Sequence, residues 1–73
     1  MKKNFSYTLG SNIRAERLRK HHTQDELAEL IDMSVNYIGK IERGVTIPSS
    51  YVLFRIASVL KIPIDELFKD IEK

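Results

Sequence analysis

Apolar residues recur at helical spacing through most of the chain, and the segment from 23 to 43, TQDELAELIDMSVNYIGKIER, shows this pattern most clearly. Leu27 and Ile31 lie at i and i+4, which predicts a short helix with one buried face. Ile38 and Ile41 predict the same arrangement in a second short helix. We therefore expect two helices joined by a tight turn.

The residues that flank these helices favour helix starts and a sharp turn. Thr23 and Glu26 have the spacing of a capping box ahead of the first helix. Ser34 is a good N-cap for the second helix. Asp32 lies in the turn between them, where aspartate tolerates a left-handed backbone. The turn is therefore predicted to span only a few residues.

The second helix, expected over Val35–Arg43, carries a polar face opposite its isoleucines. Asn36, Lys40 and Arg43 lie at i, i+4 and i+7, so they share that face. Asparagine binds adenine edges, while lysine and arginine suit guanine edges or phosphate. Gly44 then stops the helix, as a glycine that follows the last turn commonly does.

Gly39 projects onto the same polar face. Inside a helix glycine costs ~1 kcal/mol relative to alanine, so its presence suggests a backbone that must lie close to another group. Two short helices with an outward polar face on the second form a helix-turn-helix, whose second helix enters the major groove of DNA. We predict this motif at residues 24–43.

The remaining apolar positions predict three further helices. One is expected from Thr8 or Leu9 to Lys20, another from Ser50 to Leu60, and a fifth helix begins near Pro63. No alternating strand pattern is present, so the predicted fold is all-α, a compact five-helix bundle. The predicted divisions are an N-terminal arm at 1–8, a DNA-binding domain at 9–69 and a C-terminal tail at 70–73.

The composition disfavours disulfide-rich, thiolate-metal and membrane-spanning classes of protein. The chain has 73 residues, enough for one domain, and no cysteine, so we expect neither a disulfide nor a thiolate metal site. No run is long and apolar enough for a membrane span or a signal peptide. We therefore expect a cytoplasmic protein with no membrane partner, no cofactor and no evident small-molecule ligand.

Charge is distributed unevenly along the chain, whose net charge is +2. Residues 1–61 carry ten Lys/Arg against six Asp/Glu, whereas residues 62–73 carry two against four. The acidic end is poorly suited to face DNA, so the phosphate-facing surface should come from the first two thirds. Lys2 and Lys3 belong either to a frayed terminus or to a basic arm that reaches phosphate.

The segment from Leu9 to Phe68 resembles the phage-repressor type of helix-turn-helix domain, the XRE family that includes Cro and the lambda and 434 repressors. The run TQxELA followed by IxxIERG carries the resemblance. It implies a bundle of five helices that binds DNA. The chain departs from the family pattern at His21 and Asp32, where glycine is common, and at Val35, which either touches a thymine methyl or packs beside the turn.

The resemblance also implies roles for individual residues. Gln24 matches a glutamine that binds a phosphate and braces the recognition helix. Arg17 and Glu42 match a structural ion pair between the first and third helices. The positions that reach bases or the sugar-phosphate backbone are matched by Ser34, Val35, Asn36, Tyr37, Lys40 and Arg43.

The favoured function is a sequence-specific regulator that binds double-stranded DNA as a homodimer, such as a repressor or a restriction-system controller. Its operator would be a pseudo-palindrome with half-sites about 34 Å apart. Ile64, Phe68 and Ile71 are the candidate dimer interface, with the alternative that they complete the monomer core. Phe5 or Tyr7 would support that interface.

Two other functions compete with this hypothesis. A protein-interaction module or an antitoxin would use an apolar, aromatic face, for which Tyr37, Tyr51 and Val35 leave some room. An enzyme is disfavoured, because the sequence has no glycine-rich phosphate loop and no metal-ligand spacing. The adjacent His21 and His22 diverge by about 100° on a helix, so we interpret them as a helix end.

Overall fold

The computed structural model describes residues 4–71 as four α-helices followed by a short 3-10 helix. The all-α class is confirmed, with no strand within that range. Lys2, Lys3 and the end of the predicted tail, 72–73, lie outside the described residues. The elements are α1 (Phe5–Arg19), α2 (Gln24–Leu30), α3 (Val35–Glu42), α4 (Ser50–Leu60) and the 3-10 helix (Ile64–Phe68).

The predicted fifth α-helix is wrong, because Ile64–Phe68 forms a 3-10 helix of only five residues. No side chain caps its start at Pro63. It follows Lys61, which has a left-handed backbone at φ 58°, and it ends before Asp70, whose φ is 63°. A segment this short, with a left-handed residue on either side, cannot extend into the several consecutive turns that stabilise an α-helix.

Helix α1 begins at Phe5, earlier than the predicted Thr8 or Leu9. The Asn4 side chain is the reason, since its Oδ1 accepts hydrogen bonds from the backbone N–H groups of Ser6 and Tyr7. An asparagine N-cap satisfies donors that would otherwise lack partners at a helix start. Residues 5–8 of the predicted arm are therefore helical.

All five elements contribute to one hydrophobic core. The apolar side chains that the sequence predicts on the inner face of each helix form the centre of this core, and Leu67 packs the 3-10 helix into it. No helix within residues 4–71 is long and apolar enough to cross a membrane. The buried apolar residues are Leu9, Ile13, Leu27, Ala28, Ile31, Ile38, Ile41, Val52, Leu53, Ile56, Ala57, Leu60 and Leu67.

Two glycines let α1 approach α3 closely. A Cβ atom at Gly10 would lie 2.2 Å from the carbonyl oxygen of Ile41, so the two backbones cross in direct contact. Gly44 has a φ of 77°, and a Cβ there would lie 2.8 Å from the Cα of Tyr7. Ser6 Oγ donates to the Gly44 carbonyl over 3.0 Å. The backbone of α1 thus fixes the C-terminal end of α3.

Candidate nucleic-acid interface

Helix α3 turns its isoleucines inward and its polar residues outward. Ile38 and Ile41 are each 1% exposed, whereas Asn36, Lys40 and Arg43 are exposed to solvent. Arg43 caps the helix, which therefore ends one residue earlier than predicted. The expected division of α3 into an apolar and a polar face is confirmed.

The start of α3 is capped as predicted. Ser34 Oγ accepts from the backbone N–H of Tyr37 over 3.1 Å, and Tyr37 itself is half-buried against the core. Asp32 has a φ of 59°, the left-handed backbone that its position in the turn predicts. Val35 remains exposed, so the structure places it at the surface beside the turn.

A buried ion pair holds α3 against α1. Arg17 Nε donates to Glu42 Oε2 over 2.7 Å, and Arg17 Nη2 donates to Glu42 Oε1 over 2.9 Å. The side chains are 6% and 2% exposed, respectively. Arg17 Nη1 also donates to the His22 carbonyl over 2.9 Å. The pair that the family resemblance implied is therefore present, bidentate and removed from solvent, as strong arginine–carboxylate pairs commonly are.

Gln24 joins this network from α2. Its Nε2 donates to Glu42 Oε1 over 2.9 Å, so a side chain on each of three helices meets at Glu42. Gln24 is half-buried, which leaves part of its amide at the surface. The bracing contact implied for this residue exists, and its contact with phosphate stays a prediction.

The capping box of α2 is also confirmed. Thr23 Oγ1 accepts from the Glu26 N–H over 3.0 Å, and Glu26 Oε1 accepts from the Thr23 N–H over 2.8 Å. His22 is half-buried, with its Nδ1 3.9 Å from Glu26 Oε1. An open groove between α1 and α2 reaches the start of α3. It is lined by Arg17, Leu18, His21, His22, Thr23, Gln24, Asp25 and Val35.

Gly39 is buried although it projects onto the polar face. A Cβ there would lie 3.0 Å from Arg43 Nη1 and 4.0 Å from Gln24 Oε1. The sequence suggested a close approach by another group, and the structure places this chain's own Arg43 over the glycine.

The candidate dimer residues lie at the C-terminal end of the fold. Ile64 is 40% and Phe68 37% exposed, while Ile71 is half-buried against the core. Asn12, which sequence reasoning missed, donates from Nδ2 to the carbonyls of Leu67 (2.9 Å) and Lys69 (2.7 Å). The 3-10 helix is thus tied to α1 while two of its apolar side chains face outward.

A second exposed aromatic region lies on α4, where Phe54, which sequence reasoning missed, adds to Tyr51, one of the residues considered for a protein-interaction face. Tyr51 and Phe54 are each 60% exposed. Arg55 lies 5.8 Å from the centre of the Tyr51 ring and donates to the Leu30 carbonyl over 3.2 Å. The hydrogen bond ties α4 to the end of α2.

Comparison with known proteins identifies relatives that cover most of this fold. A helix-turn-helix family model matches residues 13–67. The HTH-type transcriptional regulator YazB of Bacillus subtilis is 43% identical over 58 residues, which are 80% of this chain and 84% of YazB. The ImmF control region 10 kDa protein of Bacillus phage phi105 is 37% identical over 59 residues, which are 81% of this chain and 66% of that protein.

A solved structure shares the same arrangement. The restriction-modification controller protein C.AhdI from Aeromonas hydrophila superimposes with a TM-score of 0.82 at 32% sequence identity. The match covers 85% of this chain and 94% of C.AhdI. The chain with this fold, capped turn and buried arginine–glutamate pair is therefore similar to transcriptional regulators over most of its length.

Proposed function

Because the chain belongs to the helix-turn-helix family of transcriptional regulators, we propose that it binds double-stranded DNA sequence-specifically through α3. The observation that carries this proposal is the outward polar face of α3. Asn36, Lys40 and Arg43 are exposed along one side of a helix whose other side is locked into the core. Side chains in that position reach base edges when the helix enters the major groove.

The contacts that hold α3 in one orientation support the same proposal. A helix that discriminates base edges must be held in a fixed orientation, since discrimination depends on hydrogen-bond geometry. Glu42 receives three hydrogen bonds from Arg17 and Gln24, and none of these donors lies on α3 itself. The polar face is therefore presented by a helix that is fixed from both neighbouring helices.

We further propose that the protein acts as a homodimer on a pseudo-palindromic operator. One chain presents few base contacts, and two recognition helices about 34 Å apart would double them. Ile64 and Phe68 are the residues we propose at the interface, with Ile71 beside them. Their exposure favours contact with a partner, because Leu67 already fills the core position of this segment.

The cellular role that we propose is repression or the control of a restriction system. Similarity to the C.AhdI controller and to the phage phi105 control-region protein supports this choice. The alternative is a protein-interaction module or an antitoxin. Exposed Tyr51 and Phe54 on α4 favour it, since aromatic side chains are enriched in protein interfaces.

Selection of bound sites from random-sequence duplex DNA tests the proposal. We expect enrichment of a pseudo-palindrome, and affinity for the enriched duplex should fall steeply with salt because phosphate contacts release counterions. Failure to enrich any sequence, together with a flat salt response of binding to the unselected duplex pool, would contradict DNA binding and favour the protein-partner alternative.

A further inference from the structure

The three glycines of this chain lie against different kinds of neighbour. At Gly10 and Gly44 an added Cβ would collide with backbone atoms of another element, so glycine is needed for the fold. At Gly39 the nearest atom to an added Cβ is Arg43 Nη1, at 3.0 Å, which is the far end of a flexible side chain. The fold therefore accepts alanine at Gly39 far more easily than at the other two positions.

The position of Arg43 over Gly39 follows from helical geometry. Helical side chains lean toward the N-terminus, so a residue at i+4 covers the surface near residue i. Arg43 Cζ lies 4.0 Å from the Cβ position at Gly39, which places the guanidinium on the bare backbone of α3. The charge is thereby drawn back onto the polar face that Asn36 and Lys40 share.

Gln24 reaches the same point from α2. Its Oε1 lies 4.0 Å from the Cβ position at Gly39, and its Nε2 is fixed by Glu42. An amide Nε2 carries two hydrogens, so one remains for a second acceptor. Within residues 4–71 Arg43 forms no ion pair. The Arg43 guanidinium and the Gln24 amide thus both approach the Cβ position of Gly39. Guanidinium and amide N–H groups are common donors to phosphate oxygens.

Glycine in the middle of α3 weakens the helix relative to alanine, and the packing around Gly39 does not demand it. We propose that Gly39 is a positioning residue for DNA binding. It leaves the space that the Arg43 guanidinium occupies, near the Gln24 amide that approaches the same position from α2, so that both side chains can donate to one phosphate of the duplex. This inference rests on the proposed function.

Gly39→Ala tests the inference because it should raise the stability of the fold while it lowers the affinity for DNA. The melting temperature should rise by about 4 °C, as alanine replaces glycine in a helix. Affinity for a duplex enriched from random sequences should fall about 5-fold, and the slope of log K against log salt should shrink by about 1 per chain. Arg43→Ala should show the same loss of affinity and slope.

The double variant Gly39→Ala/Arg43→Ala shows whether Gly39 affects DNA binding through Arg43 or independently of it. We expect it to bind no more weakly than Arg43→Ala alone, because the methyl acts only through the guanidinium. Ser58→Ala, an exposed position on α4, is the matched control and should leave affinity unchanged. Additive losses in the double variant, or full affinity in Gly39→Ala while Arg43→Ala is impaired, would overturn this inference alone. Failure of the wild type to enrich any duplex would overturn the proposed function as well.

Discussion

Helix α3 and the C-terminal 3-10 helix are both packed on α1, yet they are held in contrasting ways. α3 is fixed through a buried carboxylate with three donors and through direct backbone contact at Gly10. The 3-10 helix is fixed by one buried leucine, by two hydrogen bonds from Asn12, and by an ion pair between Lys69 at its end and Glu16 of α1 (3.6 Å). The outward side of the first is polar, whereas the second exposes two apolar side chains, Ile64 and Phe68. The contrast fits the proposed roles, in which α3 binds DNA and the 3-10 helix contacts a second copy of the chain.

The largest expected effect is the loss of the buried carboxylate. Glu42→Ala leaves the Arg17 guanidinium buried without its partner and should lower the free energy of unfolding by ~3–5 kcal/mol. Urea denaturation measures this change. Glu29→Ala, an exposed carboxylate on α2, is the control and should change stability by no more than ~0.5 kcal/mol. Equal effects of the two substitutions would show that the network does not fix α3.

Disruption of the proposed dimer should come next in size. Phe68→Ser removes an aromatic side chain that is 37% exposed and should weaken dimerisation about 30-fold, or ~2 kcal/mol. The part of the ring that the monomer covers should also cost ~1 kcal/mol of monomer stability. Sedimentation analysis over a concentration series measures the dissociation constant. Phe54→Ser is the matched control on α4. Loss of the dimer in Phe54→Ser with an intact dimer in Phe68→Ser would place the interface on α4.

A smaller effect is expected where Asn12 ties the 3-10 helix to α1. Asn12→Ala removes the donor to two carbonyl groups and should cost ~1–2 kcal/mol of stability, because each hydrogen bond contributes ~1 kcal/mol. The exchange rates of amide hydrogens near Leu67 should rise more than those in α3. Ser11→Ala, its neighbour, should leave both unchanged. Uniform acceleration throughout the fold would contradict the independent attachment of this segment.

The smallest effect, a stabilisation, concerns the backbone at the end of α1. His21 has a φ of 63°, which a side chain other than glycine adopts at a cost. His21→Gly should raise the free energy of unfolding by ~0.5–1 kcal/mol. Ala15→Gly, in the interior of α1, should lower it by ~1 kcal/mol. A decrease in both variants, measured by thermal denaturation, would contradict this account of the turn.

The sequence predicted most where local rules decide the structure. The capping box at Thr23 and Glu26, the cap at Ser34 and the left-handed Asp32 each depend on neighbours within a few residues, and each is present. The predicted start of α1 is too late, because residues 1–6 have no clear period and the prediction did not include the Asn4 cap.

Other features depend on long-range contacts that no local pattern encodes. The sequence predicted a helix after Pro63 because Asp65 and Glu66 favour a helix start. The segment is too short for an α-helix and forms a 3-10 helix instead. The role of Gly10 became visible only when α1 was seen to cross α3, a contact between residues that are far apart in sequence. The donors of Asn12 reach across the fold for the same reason.

The central claim is that the outward face of α3 recognises DNA bases. Its most direct test is the affinity of Asn36→Ala and Lys40→Ala for a duplex enriched by the wild type, measured together with binding to all single-base variants of that duplex. We predict a loss of ~1–3 kcal/mol for each substitution and a relaxed preference at one base pair per half-site. Unchanged affinity and unchanged base preference in both variants would contradict the claim.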